Sequence, residues 1–123
     1  MIGIGTDLVE LDRFRLALRR TPAIVARLFR AEERAYAERQ ADPAPRLAVR
    51  FAAKEAVLKA MGIGLWNFPL REIEVARAES GVPSVVLHGK AATMAADRGV
   101  DRWLLTLTHT DSLAQAVAVA LPR

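Results

Sequence analysis

The sequence of 123 residues contains no cysteine and only two histidines, His88 and His109. The missing cysteines exclude disulfides, thiolate metal sites and thiol catalysis, and two histidines are too few for a histidine-rich zinc site. No stretch reaches the roughly 20 apolar residues of a membrane span, and Asp7 interrupts the N-terminus before a signal-peptide core could form. We therefore expect a soluble, cytoplasmic protein that does not bind membranes.

The length suggests a single domain, residues 1–123, that can bury a core without covalent cross-links. Its hydrophobic fraction of 52% is slightly above average. A small domain with so many apolar residues can hide part of its surface against another subunit.

Positive charge is concentrated near the N-terminus, although the net charge is only +4. The arginines that crowd this region are Arg13, Arg15, Arg19, Arg20, Arg27 and Arg30. Such a patch suits an acidic protein surface, phosphates or nucleic acid, and an ordinary solvated helix face is the simpler interpretation. Composition does not choose among these partners.

Residues 1–10 alternate as a strand, in which Gly3, Gly5 and Asp7 share one face. Two glycines leave bare backbone, as expected where another element or a ligand comes close. Aspartate is uncommon inside strands, so Asp7 is a candidate functional residue, with a turn or cap aspartate as the competing interpretation. Leu8 stands where a dinucleotide-binding loop would have its third glycine, so that fingerprint is incomplete.

The middle of the chain predicts a helix from about Pro45 to Met61, ended by Gly62 or Gly64 as a left-handed cap. Its bulky apolar residues and its alanines form two separate arcs, so both sides should be covered. Its charged residues form no single solvent-facing stripe, so some of them should lie in a partly buried site. Glu55 and Lys59 are four residues apart and share a face, where an ordinary surface ion pair is the alternative interpretation.

The rest of the pattern alternates short helices with strands. Asp12 is expected to cap a helix that runs to about Arg20. A second helix is expected to end near Leu28, and a third to begin at Phe29. After the central helix we expect a hairpin over about 73–87, a helix over 89–99, and strands over 103–109 and 113–121. This order predicts an α+β fold whose mainly antiparallel sheet packs with a long central helix.

The last strand, residues 113–121, is apolar on both faces except at Gln115. Strands of this kind are normally buried on both sides. We therefore expect both faces of this strand to be covered.

Three stretches carry a family resemblance: Gly3–Glu10 with Arg13, Phe29–Glu33, and Arg50–Ala56 with Lys59. They resemble the signatures of the holo-acyl-carrier-protein synthases, the small group of 4′-phosphopantetheinyl transferases. Further similarities follow in the family's order and cover nearly the whole chain. They are the Gly62-x-Gly64 loop, Ile73–Val75, Gly81-x-Pro83 and Thr106–His109.

The resemblance implies the fold of these transferases and transfer of phosphopantetheine from coenzyme A to a serine of apo-acyl carrier protein. It also implies release of adenosine 3′,5′-bisphosphate, a requirement for Mg²⁺ and a place in fatty acid or polyketide synthesis. Attack of the serine on the β-phosphorus builds negative charge, which a hard cation held by carboxylates offsets. The resemblance assigns the metal to Asp7 and Glu55, which lie on different elements.

Other site residues follow from the same resemblance. Lys59 would neutralise a phosphate oxygen or the leaving group, and His109 would contact phosphate or help to move the serine proton, unless it is a satisfied core histidine. The place of Lys54 in the bulky apolar arc allows either a buried salt bridge or a phosphate contact across a subunit boundary. Glu33 matches the family's second motif and would organise the metal site from its helix. The remaining residues expected to bind coenzyme A are Arg50, Gly62, Gly64 and Thr108. The general base stays open among Glu55, His109 and a metal-bound water.

The chain departs from the family pattern in a few places. Arg30 stands where the family commonly has a hydroxyl residue that caps the helix, and a missing cap typically costs about 1 kcal/mol. Val82 replaces a basic residue, while Thr106 and Thr108 replace serines and keep the hydroxyl groups. His88 matches no motif and is expected to be structural.

The resemblance further implies a homotrimer with active sites between subunits, which the doubly apolar last strand would suit. Arg13 and Arg20 on the first helix would then meet the acidic recognition helix of the carrier protein. We expect their reversal to glutamate to weaken carrier binding while coenzyme A binding persists.

A basic module that binds RNA or DNA is the main competing function. It is disfavoured because Phe14 and Phe29 are isolated among the arginines, and because Asp7 and Glu55 would repel a phosphate backbone. A family relative that has lost activity and serves as an interaction subunit is a second alternative. The chain retains Asp7, Glu55 and Lys59, which argues against it. The sequence leaves open whether the carrier serves fatty acid, polyketide or other synthesis.

Overall fold

The computed structural model of residues 1–123 contains five α-helices, a short 3₁₀ turn and five strands. The elements in chain order are β1 Gly3–Glu10, α1 Leu11–Arg20, α2 Ile24–Leu28, α3 Ala31–Glu38, α4 Ala44–Met61, β2 Ile73–Arg77, β3 Pro83–Leu87, α5 Gly89–Asp97, β4 Arg102–His109 and β5 Leu113–Leu121. A three-stranded sheet has the order β1-β5-β4, β2 and β3 form a hairpin, and every pair is antiparallel. The predicted α+β class and antiparallel pairing are confirmed. No helix has the length and apolar character needed to cross a membrane.

The central helix α4 begins at Ala44, one residue before the predicted start, and ends at Met61 as expected. Gly62 follows with φ 70°, a left-handed conformation that glycine adopts without strain, so it is the predicted cap. The alanine arc of α4 is buried against the sheet. Both arcs lie in the same core, so the prediction of a helix covered on two sides is confirmed.

Strand β1 lies close to α4 because of its two glycines. A Cβ atom at Gly3 would overlap the carbonyl oxygen of Ala60, and one at Gly5 would overlap that of Ala56. The bare backbone predicted from the sequence therefore lets a helix approach the strand. This approach holds Asp7 next to the last turns of α4.

Asp12 does not cap α1, contrary to our prediction. The helix begins at Leu11, directly after β1, and its N-cap residue is Glu10. Leu11 is buried and its amide donates to the carbonyl oxygen of Ser112, so the sheet fixes the start of the helix. Asp12 lies in the first turn and accepts a hydrogen bond from Arg15.

Helix α3 begins after Arg30, whose side chain has no acceptor atom to replace the usual hydroxyl. The Glu33 carboxylate instead accepts the backbone N–H of Arg30 at 2.9 Å. One half of a capping box is therefore retained, which limits the cost of the missing hydroxyl.

Strand β5 is covered on one face only. Its alanines Ala114, Ala116, Ala118 and Ala120 are buried against the core. On the outer face Val119 lies between Ile4 and Leu104, which are 60% and 58% exposed. The expectation that both faces are covered is not met within one chain, because no helix of this chain packs on the outer face.

Candidate active site

Helix α4 carries charged residues on two opposite sides. At about 100° per residue, Lys59 points away from the helix on the side opposite Arg50. Glu55 lies nearer to Lys59 than to Arg50 in this projection. The helix therefore separates two polar groups, each of which includes residues from the sheet.

The first group consists of Asp7, Glu55 and Lys59. The Lys59 ammonium donates to Asp7 Oδ1 at 3.2 Å and to the Thr6 carbonyl oxygen at 2.9 Å. Burial raises the pKa of Glu55, the negative charge of Asp7 raises it further, and Lys59 opposes both. Asp7, Glu55 and Arg13 line one cavity of about 450 Å³.

Two carboxylates on one cavity fit a divalent cation with oxygen ligands. Nowhere does the structure gather three or more acidic or histidine side chains into a metal cage. Mg²⁺ usually binds one or two protein carboxylates, with substrate phosphates and water as its other ligands. Burial and the negative charge of Asp7, which together raise the pKa of Glu55, disfavour its charged form, and a bound cation would offset both.

Lys54 and Glu33 form a separate, buried ion pair. Lys54 Nζ donates to Glu33 Oε1 at 2.8 Å and to the carbonyl oxygens of Leu70 and Ile73, and its side chain is 0% exposed. Burial lowers the pKa of Lys54, and the nearby carboxylate of Glu33 opposes this. All three donors of the ammonium are used, so it has none left for a phosphate.

The ion pair completes the free edge of β2. Lys54 binds the Ile73 carbonyl oxygen, and Glu33 Oε2 accepts the Val75 N–H at 3.0 Å. These are the backbone groups that a further strand would otherwise satisfy. Of the two expected roles of Lys54, the structure shows the buried salt bridge, and this leaves no donor free for coenzyme A. The contact of Lys54 with coenzyme A stays a prediction. Glu33 holds the hairpin and α3 together and does not line the cavity of Asp7.

The second group surrounds Tyr36 on the other side of α4. The guanidinium carbons of Arg46 and Arg50 lie 4.5 Å from the centre of the Tyr36 ring, and that of Arg77 lies 4.9 Å from it. Arg50 is buried, its Nε has no partner, and burial lowers its pKa. These residues and His109 line a cavity of about 310 Å³.

A family model described as the 4′-phosphopantetheinyl transferase superfamily matches residues 3–118. The holo-[acyl-carrier-protein] synthase of Syntrophotalea carbinolica is 46% identical over 119 residues, covering 95% of this chain and 93% of that protein.

The chain belongs to the holo-[acyl-carrier-protein] synthase family.

Solved structures agree with this membership. The holo-[acyl-carrier-protein] synthase from Neisseria meningitidis has a TM-score of 0.90 at 31% identity, with 98% of this chain and 99% of that chain covered. The structure of the Chronobacterium ammoniagenes ACPS-CoA complex has a TM-score of 0.87 at 26% identity, with 98% of this chain and 97% of that chain covered. The chain is thus a transferase with the synthase fold.

Several expected site residues of the synthase are exposed and make few contacts. His109 is exposed at the end of β4, where its ring lies 3.4 Å from the Thr110 carbonyl oxygen, so it is not a core histidine. Thr108 is exposed too, but Thr106, not Thr108, lines the cavity with His109. Gly62 and Gly64 face open space, since a Cβ atom on either would meet nothing within 4 Å.

The arginines near the N-terminus of the synthase have different partners. Arg13 and Arg20 are exposed, as the expected carrier contact requires, and Arg13 also lines the cavity of Asp7. Arg15 is bound to Asp42 at 2.7 Å, and this contact lowers the pKa of Asp42. Arg30 donates to the Arg71 carbonyl oxygen. The basic segment is therefore not one uniform patch.

Sequence reasoning missed the three residues Tyr36, Arg46 and Arg77. The spacing of four between Arg46 and Arg50 shows that they share a helix face, and this was the available clue. Tyr36 and Arg77 lie on α3 and β2, so only the fold brings them together. His88, expected to be structural, donates a hydrogen bond from Nε2 to Glu74 Oε1 at 2.8 Å beside the hairpin.

Proposed function

We propose that this synthase transfers 4′-phosphopantetheine from coenzyme A to a serine of an apo-acyl carrier protein in the cytoplasm, releasing adenosine 3′,5′-bisphosphate in a Mg²⁺-dependent reaction. The observation that carries the proposal is the group of Asp7 and Glu55, which line one cavity, with the Lys59 ammonium bound to Asp7. The relative titled as an ACPS-CoA complex supports coenzyme A as the donor. A single domain, residues 1–123, would carry the activity.

Each residue of this group has a part in the proposed reaction. The serine oxygen forms a bond to the β-phosphorus while the bond from that phosphorus to the nucleotide breaks. Asp7 and Glu55 would hold Mg²⁺, which supplies positive charge to the phosphate oxygens. Lys59 is more than half exposed and can bind a phosphate oxygen as its charge develops. Glu55 and His109 are the side chains of this chain that can accept the serine proton.

A second subunit would complete the site. Within one chain Asp7 and His109 line different cavities, because α4 separates the two groups. The arginines around Tyr36, with the unpartnered Nε of Arg50, offer positive charge to an anionic nucleotide. We propose that Arg50 and His109 of one subunit face Asp7 and Glu55 of its neighbour in a homotrimer. The uncovered outer face of β5 supplies apolar surface for such an assembly.

The first test is intact-mass analysis of an apo-acyl carrier protein incubated with the enzyme, coenzyme A and Mg²⁺. A mass gain of one phosphopantetheine is expected, with none after chelation or with Glu55→Gln. No gain with several unrelated carriers, despite folded enzyme, would refute the proposed transfer.

The shared site is tested by mixing two inactive variants. Glu55→Gln and His109→Ala subunits, unfolded and refolded together, should recover about one quarter of wild-type activity, since some neighbouring pairs then carry both intact groups. Each variant refolded alone is the control. If the mixture stays as inactive as its components, the two groups do not meet between subunits.

Carrier docking is tested by reversing the exposed arginines Arg13 and Arg20 to glutamate. The KM for the carrier should rise and the affinity for coenzyme A should persist, because the carrier's acidic helix would meet like charge. Equal loss of both would show that these arginines serve the nucleotide or the fold.

A further inference from the structure

Three arginines surround a cavity of about 310 Å³ between α2, α3 and the short 3₁₀ turn Leu70–Glu72. Arg30 and Arg34 are four residues apart at the start of α3, so they face the same side, and Arg71 comes from the turn. Glu32 is the only carboxylate on the lining. The lining therefore carries three positive charges and one negative charge.

The guanidiniums of Arg34 and Arg71 are not used by the rest of the chain. Neither residue takes part in a salt bridge. The Nε atom of Arg34 is buried and has no hydrogen-bond acceptor, which is rare and unfavourable for a buried donor. Arg71 is exposed, and its backbone carbonyl oxygen, not its side chain, is bound by Arg30. Both guanidiniums are thus available to an acceptor that this chain does not supply.

The cavity of these arginines lies close to the proposed reaction site. Arg71 also lines a neighbouring cavity of about 550 Å³ together with Glu55. Glu55 in turn lines the cavity of Asp7 and Arg13. The cavities of Arg13 and Arg71 therefore both border Glu55, so a carrier protein that presents its serine there comes within reach of both arginines.

We propose that Arg34 and Arg71 form a second docking contact for the carrier protein, which binds acidic side chains different from those that meet Arg13 and Arg20. This inference rests on the proposed transfer. The two pairs of arginines lie on different elements, α1 for one pair and α3 with the 3₁₀ turn for the other.

The chemistry of the cavity favours carboxylates of a protein over a phosphate group. A guanidinium binds one carboxylate through two parallel hydrogen bonds, so two arginines on separate elements suit separate acidic side chains. Glu32 on the same lining repels a doubly charged phosphate more strongly than a singly charged carboxylate. An acidic protein surface is therefore the partner that fits.

Loss of either arginine should weaken carrier binding and leave the fold intact. An exposed ion pair changes an affinity by up to about fivefold. Arg34→Gln and Arg71→Gln should therefore each raise the KM for the carrier by about two- to fivefold, and the double variant should raise it further. The Tm should stay within a few degrees of that of the wild type, because neither side chain is in a salt bridge of this chain.

The test measures KM values for one apo-acyl carrier protein and for coenzyme A by intact mass, with each variant beside the wild type. Arg102→Gln is the matched control, since Arg102 is exposed and lines neither cavity. The control should leave both KM values unchanged, and the Arg34 and Arg71 variants should leave the KM for coenzyme A unchanged.

A charge exchange identifies the partner of Arg71. Arg71→Glu is assayed with carrier variants in which acidic residues are replaced singly by lysine. At least one of these carriers should have a lower KM with Arg71→Glu than the unaltered carrier has, because opposite charges then meet again. That carrier variant should not be one that restores Arg13→Glu.

Three results would overturn the inference while leaving the proposed transfer intact. One is an unchanged carrier KM in the double variant of Arg34 and Arg71. Another is an equal rise in the KM for the carrier and for coenzyme A, which would assign these arginines to the phosphates of coenzyme A. The third is a charge exchange in which no carrier variant restores Arg71→Glu, or only one that also restores Arg13→Glu. If the wild type modifies no carrier, the proposed transfer fails as well.

Discussion

Lys54 and Lys59 lie five residues apart on the same helix and have opposite environments. The ammonium of Lys54 is buried and bound by Glu33 and two carbonyl oxygens. The side chain of Lys59 is 55% exposed, and its ammonium contacts Asp7 and one carbonyl oxygen. The first lysine has no donor to spare, whereas the second has a third donor free on an ammonium that is open to solvent.

This difference separates structural charge from charge available to a substrate. A buried ammonium loses its hydration and must have its donors satisfied inside the protein, as Lys54 has. An exposed ammonium keeps much of its hydration, which a phosphate can replace. The same lysine chemistry therefore stabilises the hairpin at one position and is free to bind an anion at the other.

The largest effect is expected for Lys54→Met. Removing one partner of a buried ion pair costs about 3–5 kcal/mol because the other charge is left uncompensated. Glu33 would be that uncompensated charge, and the Ile73 carbonyl oxygen would also lose its partner. At about 4 °C of Tm per kcal/mol, thermal unfolding followed by circular dichroism should show a fall of roughly 10–20 °C.

The double variant Glu33→Met with Lys54→Met sharpens this test. It removes both charges together, so part of the lost stability should return. Recovery should be incomplete, because the Val75 N–H and the Ile73 carbonyl oxygen stay unpaired. An unchanged Tm in Lys54→Met would contradict the structural role of this lysine.

Lys59→Met should produce the reverse pattern. Exposed ion pairs contribute about 0–1 kcal/mol, so its Tm should stay within a few degrees of that of the wild type. Loss of a charged group that stabilises the transition state lowers kcat by roughly 10²–10³-fold. Steady-state kinetics with coenzyme A and carrier protein, beside an unfolding curve of the same sample, would show whether activity and stability separate.

Lys59→Arg is the matched control for this variant because it keeps the charge. It should retain more activity than Lys59→Met, although the planar guanidinium cannot reproduce every ammonium contact. Full activity in Lys59→Met would remove this residue from the proposed site.

The fold followed from local patterns in most of the chain. The alternation in β1, the composition of α4 and the left-handed cap at Gly62 are local features, and each was predicted close to its observed position. The start of α1 was not predicted correctly, because it depends on a hydrogen bond from the Leu11 amide to the carbonyl oxygen of Ser112, which is distant in sequence. The uncovered face of β5 was also missed, since an apolar pattern does not say whether the same chain covers it.

The candidate site also had features that local patterns predicted and features that only the fold revealed. Helical spacing related Glu55 to Lys59, and the strand pattern made Asp7 a candidate. Only the family resemblance joined Asp7, which lies on another element, to the other two residues. Spacing placed Lys54 in the bulky apolar arc and so allowed it to be buried, but it could not name the acceptors, which come from α3 and the approach to β2. The arginines around Tyr36 needed three elements to meet, so no local pattern could reveal them.

The smallest effect, a pH-dependent change in stability, is expected at Glu55, which lies one turn before Lys59. Burial and Asp7 raise the pKa of Glu55 above its ordinary value of 4.5. As pH rises from that value through the raised one, the folded state binds this proton more strongly than the unfolded state, so stability falls. Glu55→Gln has no such proton and should escape this loss. Urea unfolding with chelator present should therefore show equal stabilities near about pH 4 and a small advantage for Glu55→Gln near about pH 7.

Mg²⁺ provides the control for this pH effect. If Asp7 and Glu55 hold the cation, excess Mg²⁺ at neutral pH should stabilise the wild type more than Glu55→Gln, because a ligand that binds the folded state raises its stability. The advantage of the variant should then shrink or reverse. An advantage that is the same at both pH values would mean that Glu55 is not held in a charge-disfavouring environment. In that case the difference in environment between the buried Lys54 and the exposed Lys59 would have no counterpart at the neighbouring carboxylate of Glu55.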